Sequence, residues 1–143
     1  MIRNVFGINI AVRDLAAAVE KFEAILGIKA RYSNAEDFAF PGLKGASFSV
    51  GGVNISLVAS ETDDSVIANF LKTRGEGVLL ISFETDDVDA EVEKLRDTAL
   101  QFLMPKNAEG KFGKVNFIHP KSLHGVQVEL IQPSDAFKAK SKE

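Results

Sequence analysis

The chain has 143 residues, 45% of them hydrophobic and 26% charged, and a formal net charge of -3. That length supports one domain with its own core, and the slight acidity gives no basic face of the kind nucleic acid needs. It contains no cysteine, which excludes disulfides, thiolate metal sites and cysteine nucleophiles.

MIRNVFGINIAV opens directly in strand alternation without a signal peptide's pattern. No apolar run reaches the roughly 20 residues that cross a bilayer, so a soluble cytoplasmic protein with no membrane partner is expected. Residues 5 to 12 alternate with period two and predict a strand. Leu15, Val19, Phe22 and Leu26 then share one face of an amphipathic helix. Asp14 is placed to cap its free N–H groups. Shorter strands follow over residues 46–50 and 54–59. A short helix over 65–72 is ended by the breaker TRGEG. A second long strand covers 78–85, and Val88, Val92 and Leu95 form a helix face behind Asp87. Strands over 114–118 and 126–132 complete the pattern. The polar, basic SDAFKAKSKE, residues 134–143, reads as a frayed, flexible tail.

The second half repeats the first at an offset of 73. Asp14 falls on Asp87, Val19-Glu20-Lys21 on Val92-Glu93-Lys94, and GGVNISLV from Gly51 on HGVQVELI from His124. One offset held at both ends of a long segment marks a duplicated unit. The reading is therefore an α+β fold of two tandem βαβββ modules, residues 5–60 and 78–132, within a single domain spanning 1–133. Alternation gives each strand a greasy face, Ile8, Ile10 and Val12 in the first, and an opposite face carrying Gly7, Asn9, Asn54, Ser56, Leu80, Ser82, Glu84, Gln127 and Glu129. Spacing alone leaves open whether that second face is simply wet or lines a shared cup.

INIAVRDLAAAVEKFEAILG, SVIANFLKTRGEG, ISFETDDVDAEVEKL and FIHPKSLHGVQVEL together resemble the vicinal oxygen chelate superfamily of glyoxalases, extradiol dioxygenases and bleomycin-resistance proteins. Within it they are most similar to the methylmalonyl-CoA epimerase branch. The resemblance covers residues 5 to 133. It implies a curled-sheet cup, a homodimer, and a divalent metal held from four strands. The implied ligand positions fall on Gly7, Ser56, Leu80 and Glu129, and the implied catalytic carboxylate falls near Leu43.

Only Glu129 of these is a metal-ligating residue type. A catalytic divalent ion generally takes about three protein ligands of imidazole, carboxylate or thiolate type; Gly7 and Leu80 have no donor and Ser56 a weak one. No cofactor or metal is therefore expected, with a hard ion on oxygens of Glu129, Glu84 and Asn9 as the alternative left open. Glu129 becomes the candidate general base or ligand anchor, and Glu84 the one available second acid. The amides of Asn9, Asn54 and Gln127 suit either a neutral polar ligand or a hydrogen-bond network among themselves. His119 and His124 read as turn histidines, and Lys121 as solvated or touching a phosphate. Phe38, Phe40 and Phe48 are placed beside the cup. Three functions remain: metal-free binding of a small organic, acyl-CoA-like ligand; a metal-independent epimerase, isomerase or lyase using Glu129; and a non-catalytic interaction domain.

Overall fold

The computed structural model describes residues 1–142. Two helices begin identically, as the repeat requires. Asp14 accepts a hydrogen bond from the Ala17 amide at 3.0 Å and Asp87 one from the Ala90 amide at 3.0 Å. These caps open α1, Leu15–Leu26, and α3, Val88–Leu95. Each helix is preceded by a long strand, β1 (Ile2–Ala11) or β5 (Gly77–Thr85). Three further strands follow each: β2 (Arg31–Tyr32), β3 (Leu43–Val50) and β4 (Val53–Ser60), then β6 (Ala108–Gly110), β7 (Gly113–Ile118) and β8 (Gln127–Pro133). Between the modules lies α2, Val66–Arg74, capped by Ser65. It runs two residues past the predicted end because the chain first leaves helical geometry at Gly75, with φ of 77°.

All eight strands form one sheet in the order β2-β3-β4-β1-β5-β8-β7-β6. Within each module the first strand pairs parallel with the last, and β1 pairs antiparallel with β5 to join the modules. The offset of 73 survives in the register. Gly7 pairs with Asn54 and Leu80 with Gln127; Asn9 pairs with Ser56 and Ser82 with Glu129. The expected α+β double-module fold is the observed one.

The greasy faces pack under the helices. Val12, Val19, Phe48, Leu57 and Ala59 are buried together beneath α1, with Phe22 and Leu26 against them. Val88, Val92, Ile118, Val128 and Leu130 do the same beneath α3. A buried side chain of this size contributes roughly 1.5–3 kcal/mol, so these two layers fix the sheet and leave its other face to form a concave surface.

The expected frayed tail is instead α4, Asp135–Lys140, capped by Ser134. A helix of six residues has no stability of its own; its partners lie elsewhere in the chain. Phe137 stacks on Phe6 with ring centroids 6.0 Å apart. Lys138 pairs with Glu84 at 2.7 Å and Lys140 with Asp37 at 2.9 Å. Glu143 lies outside the described residues. Among the described residues no helix is long and apolar enough to cross a membrane.

Candidate ligand-binding site

The centre of the concave face is built by four strands in register. Gly7 sits between Asn54 on β4 and Ser82 on β5, while Asn9 sits between Ser56 and Leu80. Gln127 and Glu129 extend the same two rows onto β8. Successive side chains on a strand alternate between faces, so these eight residues lie together on the side away from α1 and α3. All eight line one cavity of about 510 Å³.

The cavity walls are apolar. Phe38, Phe40, Phe112, Phe117 and Phe137 contribute to them, with the Phe40 and Phe117 rings 5.5 Å apart. Phe48, expected beside the cup, lies on the opposite face instead. It is paired with Ile55 in the β3–β4 ladder and stacked on Phe22 of α1. Leu43, the position implied for a catalytic carboxylate, is a buried leucine at the start of β3 that lines the cavity.

Glu129 is surrounded by protein on the cavity floor while keeping some surface open to the cavity itself. Burial disfavours its charged form and pushes its carboxyl up to about 7, with a nearby Ser82 hydroxyl pulling weakly the other way. That hydroxyl is buried and does not reach full hydrogen-bond geometry with any group, Glu129 included, so desolvation dominates. Asn54 donates from Nδ2 to the Phe6 carbonyl at 3.0 Å, whereas its Oδ1 is buried without a partner. Unpartnered buried polar atoms are rare in folded proteins. Here both belong to cavity-lining residues.

Glu84 departs from the sequence reading. It shares the concave side of β5 but does not line the cavity. Asn4 donates to its carboxylate at 3.1 Å and Lys138 pairs with it at 2.7 Å. Burial would raise its pKa, but these two partners outweigh it and hold the carboxyl below its ordinary value. Glu84 is therefore a structural anion under α4 and offers no second acid to the cavity.

Sequence reasoning also missed two residues. Arg31, on the two-residue edge strand β2, lines the cavity and donates from Nη2 to Ser47 Oγ at 2.9 Å. His119 lines it as well, its Nδ1 accepting from the Lys121 amide at 3.0 Å. A two-residue strand carries no periodic signal, and the HPKS segment reads only as a turn. His124 is exposed, in a left-handed turn with φ of 55°; Lys121 is exposed outside the cavity.

The donor set does not fit a catalytic metal. Among the described residues no group of three or more His, Asp or Glu side chains is placed to hold an ion. The backbone at the first implied ligand position has also closed. A Cβ added to Gly7 would lie 2.5 Å from the Asn54 carbonyl oxygen and 3.1 Å from Asn54 Cβ. Leu80 is 3% exposed and packs with Phe112, Val115 and Ile131. No side chain enters at Gly7 without moving a strand, and at Leu80 the site is taken by an apolar side chain in a packed cluster.

The profile of the Glyoxalase/Bleomycin resistance protein/Dioxygenase superfamily matches residues 7–117. The chain belongs to that superfamily. This glyoxalase-superfamily chain is 35% identical over 127 residues to the mitochondrial methylmalonyl-CoA epimerase of Homo sapiens, covering 87% of this chain and 71% of that protein. It superposes on the crystal structure of methylmalonyl-CoA epimerase from Mycobacterium tuberculosis with a TM-score of 0.83 at 30% identity, over 96% of this chain and 93% of that one. A variant of the Streptomyces coelicolor epimerase, in complex with 2-nitronate-propionyl-CoA, superposes with a TM-score of 0.80 at 28% identity, covering 94% and 99%. The eight-stranded curled sheet is the superfamily's glyoxalase-like fold.

Proposed function

We propose that this superfamily member binds an acyl-CoA-like organic molecule in its cavity without a metal. The observation that carries the reading is Glu129, a single carboxyl on the floor of an apolar-walled cavity, held near neutrality by burial. A protonated carboxyl there donates to a ligand carbonyl, and an ionised one accepts from an N–H or hydroxyl. The walls supply the apolar area that binds the rest of a small ligand. The Streptomyces coelicolor relative, with its acyl-CoA ligand, supports the ligand class.

A second reading is favoured by the same residue. A carboxyl whose pKa is about 7 is matched to proton transfer at neutral pH, so Glu129 suits a metal-independent general base at a carbon beside a thioester. Complete inversion needs a proton donor on the other face of that carbon, and Glu84 is tied to Lys138 outside the cavity. Binding without turnover is therefore the stronger reading.

One experiment separates them. The protein is incubated with methylmalonyl-CoA in deuterium oxide, and exchange at the carbon beside the carbonyl is followed by proton NMR, with binding measured in parallel. Saturable binding without exchange supports the binder. Exchange abolished in Glu129→Gln establishes the base, and absence of any binding rejects both.

A further inference from the structure

Among the described residues, the cavity holds in its lining one unspent permanent positive charge. Of the residues lining it, Arg31 alone carries a permanent cation. Its neighbours in sequence, Glu36 and Asp37, are committed to Lys111 at 3.0 Å and Lys140 at 2.9 Å. Arg31 itself forms no ion pair among the described residues. Its one side-chain hydrogen bond goes to a neutral hydroxyl, Ser47 Oγ.

The guanidinium also begins a polar row across the concave face. Arg31 pairs with Ser47, Ser47 with Ser56, and Ser56 with Asn9, strand by strand toward the centre of the sheet. A guanidinium presents five donors in a planar fork that matches the two oxygens of a carboxylate or phosphate. Half-buried, with most of that fork unused and no carboxylate within ion-pair distance among the described residues, the group has the chemistry of an anion receptor.

We propose that Arg31 is the anion-recognising residue of the cavity, binding an oxyanion of the ligand at the β2 edge while the rest of the molecule runs along the Ser47–Ser56–Asn9 row. This rests on the binding function proposed above and sharpens it: the preferred ligand is anionic. The oxyanion is a carboxylate on the acyl group or a phosphate of the coenzyme, and the test distinguishes these sources.

Methylmalonyl-CoA, which carries both anions, and propionyl-CoA, which carries only the phosphates, are titrated calorimetrically into the wild-type protein, Arg31→Gln and Arg31→Lys. Melting curves check that the variants fold. If Arg31 reads the acyl carboxylate, the wild type prefers methylmalonyl-CoA by about tenfold or more. Arg31→Gln then removes that preference without weakening propionyl-CoA, and Arg31→Lys, which keeps the charge but loses the fork, restores it in part. If Arg31 holds a phosphate, Arg31→Gln weakens both thioesters alike, and the inference stands with that source. Variants that bind both thioesters as the wild type does overturn it. A wild type that binds neither thioester removes the acyl-CoA reading, and methylmalonate and inorganic phosphate then decide. Either anion bound by the wild type and lost in Arg31→Gln sustains Arg31 as the receptor; neither bound overturns it.

Discussion

Gly7 and Asn54 face each other across the parallel β1–β4 pair so closely that a Cβ on Gly7 would sit 2.5 Å from the Asn54 carbonyl oxygen. A register irregularity between Val5 and Gly7 accompanies this approach, and the position is one that the superfamily resemblance assigns to a metal ligand. The backbone at that position has no space for a side chain.

Substitution at Gly7 tests that statement. Gly7→Ala forces β1 and β4 apart and is expected to destabilise by about 1–3 kcal/mol, the range for overpacking a filled site. Chemical denaturation measures it. Gly7→His is expected to cost at least as much and to gain no affinity for Zn²⁺ or Co²⁺; a stabilised variant that binds either ion would contradict the closed geometry.

The pH dependence of stability isolates Glu129. Its carboxyl moves from 4.5 in the unfolded chain to about 7 when folded, so the folded state holds its proton longer. Its burial therefore costs nothing below about pH 4.5, weighs increasingly as pH rises through 7, and is constant above. The full shift corresponds to roughly 3 kcal/mol. Glu129→Gln should match the wild type near pH 4 and exceed it by up to about that amount at pH 8. Equal stability of the two proteins at pH 8 would show that the carboxylate is well solvated or paired.

Ser82 modulates the same group. Its hydroxyl is the one side chain that lowers the Glu129 value, while itself lacking a full hydrogen bond. Ser82→Ala should raise the Glu129 pKa above 7 at little cost in stability, read from the carboxyl carbon-13 shift across a pH titration. A lowered value would mean that Ser82 does not act on the carboxylate.

The C-terminal helix is held by pairs that act in the opposite pH range. Glu84 is nearly buried, with its side chain 10% exposed, and Lys138 is 43% exposed. Lys138→Ala leaves that carboxylate hydrogen-bonded to Asn4 alone, and a loss of stability at pH 7 is expected, larger than for a surface pair because Glu84 is nearly buried. Because the folded Glu84 pKa is depressed, the pair stabilises above 4.5 and its contribution fades as pH falls below that value. The deficit of Lys138→Ala should shrink with it. A deficit independent of pH would point to lost packing of the lysine stem instead.

Much of this was legible in the chain. The offset of 73 predicts the paired caps Asp14 and Asp87, and period-two alternation puts Asn9, Asn54, Ser56, Ser82, Gln127 and Glu129 on one face. Alternation names a face but not how far along a strand the cavity reaches, and Glu84, two residues beyond Ser82, lies past its edge. Phe48 belongs to the α1 side because its register partner is Ile55, a pairing no short window specifies. Helix α4 was illegible because its order comes from Phe6, Glu84 and Asp37, which are remote in sequence and adjacent only once the chain has folded. Arg31 escaped notice because its strand is two residues long and carries no period.

On the function proposed here, the cavity binds an acyl-CoA-type ligand with no metal. A calorimetric titration of methylmalonyl-CoA into protein stripped of metal and kept in excess EDTA tests it most directly. One saturable site per chain is expected, with the same affinity after Co²⁺ replaces the chelator. Binding that appears only once a divalent ion is added would contradict the claim, as would no binding under either condition.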